Sequence, residues 1–204
     1  MLNYTYGTNG LKVDIPRIVN YIDKEIMKGD IAEAKLFNPD FIIANMHWGL
    51  EYERIPSREQ RELADWLLRQ GVDLVIGSHP HVVQPMELRR GKEGVTDRLV
   101  VYSLGNFISN MSREHTDGGV MVKVVLGRKG LRRYIISAQY SLIYSSRYKN
   151  EQGKEDIRVV PAASWSGKNQ NSSFSVDSAL IKYVNNTRLF LKGNNKEVEE
   201  YIFE

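Results

Sequence analysis

Two apolar runs of strand length, separated by a capped helix, constrain the fold of this chain more than any other feature. Residues 41–46 (FIIANM) and 72–76 (VDLVI) have the apolar content typical of strands that are covered on both faces. Between them, Ser57 and Gln60 have the spacing of a capping box, and Gly71 is placed to end the helix in a left-handed conformation. A strand, a helix and a strand joined by short connections predict a crossover unit with parallel strands.

Further elements are predicted on both sides of this unit. Asp23 is a good N-cap for a helix over 24–37, and Asn38-Pro39 ends that helix. The other predictions are a strand or its approach at 17–22, strands at 99–102 and 157–161, an antiparallel pair at 120–126 and 134–144, an exposed connection at 164–175, a helix at 176–191 and a short helix near 196–202. Together these elements predict an α/β protein with mixed sheets.

The composition excludes several classes of protein. The chain of 204 residues has no cysteine, so any metal must be held by histidine, carboxylate, amide or water. Its net charge of +3 is spread along the chain, whereas nucleic-acid binders concentrate basic residues in a stripe, so no nucleic-acid partner is predicted. No segment approaches the roughly 18 apolar residues of a membrane span, and none is predicted.

Three of the four histidines follow the two apolar runs. His47 comes directly after FIIANM, and His79 and His81 come after VDLVIG. Ligands collect at the carboxyl ends of strands in open α/β sheets, and side chains two residues apart in an extended loop point the same way. Imidazole binds zinc, iron and manganese through one ring nitrogen. The pattern favours a metal site, although a single histidine at a strand end is more often a hydrogen-bonded structural residue.

Three motifs resemble those of a known family. HWGLEY at 47–52, GSHPHVVQPMEL at 77–88 and YSLGNF at 102–107 are similar to motifs of the CapA family, the bacterial capsule and poly-γ-glutamate synthesis proteins of the calcineurin-like metallophosphatase superfamily. Their order and spacing agree, and the resemblance covers at least 1–126. It implies a metallophosphatase-like sandwich of two mixed β-sheets flanked by helices.

The resemblance also implies a centre of two divalent transition metals (Mn, Fe or Zn), with His47, His79 and His81 among the ligands. Ser78 stands before the first histidine of the pair, where the superfamily motif has glycine. The superfamily takes two carboxylates and an asparagine from the chain upstream, and 1–40 has no such motif. We therefore expect a sandwich that is incomplete at its N-terminal side and that holds one metal ion or none.

On this interpretation the chain is a C-terminal piece of a longer protein. Residues 1–145 are predicted to be the C-terminal part of a CapA-like domain, and 146–204 an extension with a short strand and C-terminal helices packed on the same domain. Two metal ions about 3.5–4 Å apart need a bridging carboxylate, so little or no turnover is expected from this chain alone. Half a sandwich leaves apolar sheet surface uncovered, which favours self-association.

Several other residues have open roles. Glu51 could orient a ligand histidine, act on the substrate as a catalytic residue, or form a surface salt bridge with Arg54. Asn106 is predicted to be a turn residue that shapes the pocket floor, and Trp48 to wall the cavity or lie in the core. His115 lies in a polar segment and is predicted to be exposed to solvent.

Three functions stay open at this stage. The first is a metal-dependent hydrolase whose substrate is a phosphoester or a bond in an envelope polymer. The second is a non-catalytic envelope component that binds, exports or anchors an anionic polymer, with other capsule synthesis proteins as partners. The third is a structural domain that has lost its metal. The resemblance implies a location in the cell envelope, periplasmic or extracytoplasmic.

Overall fold

The computed structural model describes residues 1–91, 97–130, 132–163 and 178–202. In chain order, the elements are β1 (Leu2–Thr5), α1 (Lys24–Leu36), β2 (Ile43–His47), α2 (Arg58–Arg69), β3 (Leu74–Ser78), β4 (Met86–Arg89), β5 (Arg98–Val101), β6 (Gly118–Lys129), β7 (Arg132–Lys149), β8 (Glu155–Pro161), α3 (Ser178–Asn194) and β9 (Glu199–Glu200). None of the helices in these ranges is long and apolar enough to cross a membrane.

The first sheet has five strands in the order β1-β2-β3-β5-β4. The first four of these are parallel, and β4 pairs with β5 in the antiparallel direction. The capping box of Ser57 and Gln60 is present at the start of α2, and Gly71 has a φ of 97°. Asp23 caps α1 by accepting hydrogen bonds from two backbone amides. The predicted parallel unit of β2, α2 and β3 is confirmed.

The second sheet consists of β6, β7 and β8 in antiparallel order, with the short β9 parallel to β7. The predicted antiparallel pair is confirmed, and both of its strands are longer than predicted. The short helix predicted near 196–202 is wrong, because Glu199 and Glu200 form β9 instead. The reason is tertiary: Val198 is buried, and the Tyr201 amide donates to the Tyr140 carbonyl at 2.6 Å, so the segment satisfies its backbone on β7.

Two apolar clusters hold these layers together. One lies between the first sheet and the helices α1 and α2, and its buried members include Met27, Ile31, Met46, Leu67 and Val75. The other lies between the two sheets and extends to α3, with Met86, Leu99, Ile135, Leu142 and Leu191 among its members. Burial of each such side chain contributes about 1.5–3 kcal/mol. The result is the predicted α/β architecture of two mixed sheets flanked by helices.

Some local predictions differ from the structure. The strand expected at 17–22 is reduced to a single parallel bridge between Tyr21 and Thr5. The short strand β4 was not anticipated from the sequence, although Met86 and Leu88 alternate as its buried positions. β7 runs continuously across residues 145 and 146, where a domain boundary is expected, and that boundary stays a prediction. The connection predicted at 164–175 lies outside the described residues.

Candidate metal centre

His47, His79 and His81 come together at the C-terminal edge of the first sheet. His47 is the last residue of β2 and pairs in the parallel register with Ser78, the last residue of β3. The ring centroids of His47 and His79 are 4.7 Å apart, and those of His79 and His81 are 6.0 Å apart. The structure thus brings the three residues to one place, and their role as metal ligands stays a prediction.

The backbone that presents the paired histidines is left-handed, so the extended loop expected there is wrong. The φ angle is 99° at His79 and 61° at His81, and the adjacent loop places Tyr52 at 68°. A left-handed conformation costs a non-glycine residue about 1–2 kcal/mol, and such residues cluster at functional sites. The two loops are tied together because the Tyr52 amide donates to the Pro80 carbonyl at 2.7 Å. This concentration of strained backbone supports a functional site at the edge of the sheet.

Glu51 joins two of the histidines to form a set of metal-compatible donors, which we call the donor set. One ligand atom from each of Glu51, His79 and His81 lies within 4.8 Å of the other two. Two donors bound to one ion at about 2.1 Å lie at most about 4.2 Å apart. Glu51 Oε1 and His81 Nε2 are 3.7 Å apart and lie within that limit. The other pairs of ligand atoms are at most 4.8 Å apart, so small side-chain rotations bring them within it. Two imidazoles and a carboxylate suit zinc, iron or manganese, so these residues fit the implied metal.

Asn106 controls which nitrogen of His81 faces the donor set. Asn106 Oδ1 lies 3.0 Å from His81 Nδ1, while Asn106 Nδ2 donates to the Thr116 carbonyl at 3.0 Å. Because the amide nitrogen is committed to Thr116, the amide oxygen accepts from His81, which places the imidazole proton on Nδ1. The lone pair of Nε2 then faces Glu51, as ligation of a metal requires. The sequence does not predict this contact with His81. Its only indication is that Asn106 follows β5, at the same edge of the sheet as the histidines.

The environment favours the neutral form of His47 and His79. Burial lowers the pKa of His79, and His47 adds to this effect while Glu51 opposes it. Burial also lowers the pKa of His47, with a further contribution from His81. Neutral imidazole is the form that binds metal. Tyr6, which was not predicted to be a site residue, covers both rings, with centroid distances of 5.7 Å to His47 and 4.4 Å to His79.

A rigid layer lies beneath the histidines. Residue 77 must be glycine, because a Cβ at Gly77 would clash with the carbonyl oxygen of Tyr102. Trp48 Nε1 donates to the same carbonyl at 2.9 Å, and Trp48 is 2% exposed. Trp48 is therefore a core residue, which was one of its two predicted roles, and it fixes the spacing between β2 and β5 next to the site.

A buried pair of glutamines holds the loop that carries Glu51. Gln60 Nε2 donates to Gln84 Oε1 at 2.9 Å, and Gln84 Nε2 donates to the Glu53 carbonyl at 2.8 Å. Gly49, at a φ of 86°, lets this loop pass so close to Gln60 that a Cβ would be 2.6 Å from its amide. The loop position is therefore set by α2 and by the segment after His81.

Two of the remaining open roles are also resolved. Arg54 does not pair with Glu51: its guanidinium lies 3.8 Å over the ring of Phe190, so the predicted salt bridge is wrong. His115 is partly buried, with 26% of its side chain exposed, and burial lowers its pKa. The prediction that His115 is exposed to solvent is therefore also wrong, because the loop around it folds back onto the protein.

Open space flanks the histidine cluster. A cavity of about 450 Å³ beside His47 has several polar lining residues, Asn3, Thr5, Asn20, Asn45 and Ser78. A second cavity of about 650 Å³ lies beside His81 and is lined by Asn106, residues 108–111 and the β8 residues Glu155, Asp156 and Ile157. A ligand can therefore approach the cluster from either side.

Known proteins share this part of the chain. The family model described as Bacterial capsule synthesis protein PGA_cap matches residues 2–111. The chain is 34% identical over 115 residues to the PGA biosynthesis protein CapA of Bacillus subtilis (strain 168), and 35% identical over 107 residues to the Capsule biosynthesis protein CapA of Bacillus anthracis. These segments cover 56% and 52% of this chain but 28% and 24% of the relatives, so the match spans about a quarter of their length. The family match covers more than half of the chain, including the whole donor set, and the chain therefore belongs to the CapA-type bacterial capsule synthesis family PGA_cap.

Proposed function

We propose that this chain carries part of a metal-dependent hydrolase site in a protein of capsule or poly-γ-glutamate synthesis. The observation that carries the proposal is the donor set of Glu51, His79 and His81, in which Asn106 orients His81 for ligation. The names of the two Bacillus relatives support the role in capsule synthesis. The same names support an association with the cell envelope, and a periplasmic or extracytoplasmic location is part of the proposal.

Each member of the donor set has a defined task in this proposal. His79 and His81 offer neutral nitrogen lone pairs, and Glu51 offers a carboxylate oxygen with one negative charge. When bound, a divalent Mn, Fe or Zn ion supplies Lewis acidity that stabilises negative charge on a phosphoryl or acyl oxygen. Glu51 is partly exposed, so it is alternatively placed to accept a proton from water as a catalytic residue while the histidines hold the ion.

The number of carboxylates limits what this chain does alone. His47 is proposed as a further ligand, because its ring lies 4.7 Å from that of His79. A two-ion centre also requires a carboxylate that bridges the ions, and the one carboxylate of the donor set, Glu51, is assigned with His79 and His81 to a single ion. We therefore propose that this chain binds at most one ion and has little turnover by itself.

A non-catalytic role is the second candidate, and the single carboxylate of the donor set favours it. In that role the chain binds an anionic polymer or phosphoester-bearing polymer during envelope assembly, together with other capsule synthesis proteins. The metal ion then has a structural or polymer-binding task. Binding of metal without hydrolysis is the expected signature of this candidate.

Metal titration tests the site and separates the two candidates. The purified chain is titrated with Zn²⁺ and Mn²⁺ by calorimetry, and hydrolysis of phosphomonoesters and phosphodiesters is measured in parallel. The His79→Ala variant removes one ligand, and His115→Ala is a matched control because His115 is a histidine outside the donor set. We expect about one ion per chain in the wild type and the control, and loss of binding in His79→Ala.

The outcomes differ for the two candidates. No metal binding by the wild type, or equal binding by all three proteins, overturns the proposed site. Metal binding without any turnover, both in this chain and in the full-length CapA relative of Bacillus subtilis, favours the non-catalytic candidate. Turnover that depends on His79 and on added metal favours the hydrolase.

Self-association is proposed as well. The large apolar side chains of Ile15, Ile18 and Leu36 are 95%, 87% and 84% exposed. Exposed apolar surface of this kind favours association. Light scattering over a range of protein concentrations checks this, and a monomer at every concentration contradicts it.

A further inference from the structure

Arg113 is connected to the candidate metal centre through one aromatic ring. Its guanidinium carbon is 4.0 Å from the ring centroid of Tyr52, and the Tyr52 ring stacks with that of His81 at a centroid distance of 6.0 Å. A guanidinium that lies over a ring keeps its N–H donors at the edge of its plane, free for an oxyanion. Within the described part of the chain, no residue accepts a hydrogen bond from these donors.

Both partners in this stack are held in place. Tyr52 has a φ of 68° and is tied to the loop of the paired histidines. Thr116 is fully buried, and its amide and hydroxyl both donate to the Arg113 carbonyl, at 3.1 Å and 2.6 Å. The Thr116 carbonyl in turn accepts from Asn106, the residue that orients His81. The position of Arg113 is therefore built into the same hydrogen-bonded unit as the donor set.

The cavity beside His81 is bordered by acidic residues on one side. One of its walls carries the carboxylates of Glu155 and Asp156, and residues 108–111 of the loop that leads to Arg113 form another. A ligand with a second negative group is repelled by the acidic wall, so its recognition requires a cation elsewhere at the site. Arg113 supplies that cation, and its planar fork matches a carboxylate or a phosphoryl group through two parallel hydrogen bonds.

We propose that Arg113 determines specificity at this site by recognising a second anionic group, a carboxylate or a phosphoryl group, on a ligand whose first oxyanion lies at the donor set. This inference rests on the proposed function and adds a substrate class to it. The ligand carries two separate negative groups, as a segment of an anionic polymer does. Arg113 contacts the second group and takes no part in the reaction at the first.

Equilibrium binding of a matched pair of ligands tests the inference. Phenylphosphonate and 4-carboxyphenylphosphonate are titrated into the Zn²⁺-loaded chain by calorimetry, and 1,4-phenylenediphosphonate replaces the carboxylate by a second phosphoryl group. A hydrogen bond to a charged group strengthens binding, so the wild type should bind at least one of the two ligands that carry a second anionic group about 10–100 times more tightly than phenylphosphonate. Arg113→Met should lose this preference, and Arg113→Lys should keep part of it.

The controls separate this inference from the proposed function. Arg69→Met is a matched variant, because Arg69 is an exposed arginine in the last turn of α2, at the other end of the first sheet. It should leave all three affinities unchanged. If Arg113→Met keeps the wild-type preference, or the wild type has none, the inference about Arg113 fails. The proposed metal site is not contradicted in that case, provided that the chain binds Zn²⁺. If the wild type binds no Zn²⁺, the proposed function fails first, and the inference fails with it.

Discussion

The two ends of the first sheet use polar residues in opposite ways. At the N-terminal end, Asp73 is 2% exposed, and its oxygens accept hydrogen bonds from the Ile42 amide at 2.7 Å and from Arg98 at 2.6 Å. Asp97 nearby accepts from the amides of Gly91 and Ile135. Here each carboxylate is fully used to join strands and loops to one another.

At the C-terminal end, three polar side chains direct their atoms toward one another. These are Glu51, His79 and His81, the donor set, and Asn106 holds His81 with Nε2 toward Glu51. The backbone there is left-handed at both His79 and His81, which costs stability. One end therefore stabilises the fold, and the other end carries the proposed metal site.

The largest effect is expected at Asp73. Asp73→Ala removes a buried carboxylate that accepts hydrogen bonds from Arg98 and from the Ile42 amide, and loss of one member of a buried pair costs about 3–5 kcal/mol. Urea denaturation measures this loss. Asp40→Ala is the control, since Asp40 and Arg128 form an ion pair that is more than half exposed and should contribute at most about 1 kcal/mol. Similar losses in both variants would contradict the special role of this end.

Asp97 should make the N-terminal end sensitive to acid. Burial alone would raise the pKa of Asp97, but hydrogen bonds from the Gly91 and Ile135 amides and from Arg90 outweigh burial and lower it. A carboxyl group with a lowered pKa stabilises the folded state above its unfolded pKa, and this contribution is lost as the pH falls through the folded pKa.

Asp97→Asn should therefore reduce the free energy of unfolding by about 2 kcal/mol at pH 7. The gap from the wild type should close as the pH falls below the ordinary value of 3.8. Urea denaturation across a pH series measures the gap. A gap that stays constant down to the most acidic sample shows that the charge of Asp97 contributes nothing.

Asn106 should affect metal affinity through His81, in addition to the stability that its hydrogen bond to the Thr116 carbonyl contributes. In Asn106→Ala the His81 proton is no longer held on Nδ1, and loss of such a partner typically weakens metal binding about 10–100-fold. Zn²⁺ titration measures the change, and Asn110→Ala is a control because Asn110 lines the same cavity without contacting His81. Equal weakening in both variants rules out a specific role for Asn106.

The smallest effect is expected from backbone strain at His81. His81→Gly should be more stable than His81→Ala by about 1 kcal/mol without metal, because glycine tolerates a φ of 61° and alanine does not. The same pair of variants at His47 should show the reverse order, since His47 lies in a regular strand. Thermal unfolding of the four proteins measures both differences. If the glycine and alanine variants have the same order of stability at both positions, the backbone at His81 is not strained.

The local elements of this protein can be predicted from its residues alone. The apolar runs predict β2 and β3, the N-cap Asp23 predicts α1 and the capping box of Ser57 and Gln60 predicts α2, because helix and strand patterns repeat over a few residues. The three histidines were placed correctly because parallel strands bring their C-terminal ends to one edge. The three motifs also predict the family, and the family match confirms it.

Features that depend on residues distant in the chain could not be predicted in this way. Asn106 reaches His81 across 25 positions, and Arg113 reaches the site through Tyr52; neither contact follows a local period. The left-handed backbone at His81 and the strand β9 in place of a helix are likewise set by neighbouring chain segments, which supply hydrogen bonds that outweigh local preference. The sequence therefore indicates where the site lies, and the packing of its loops decides which atoms face a ligand.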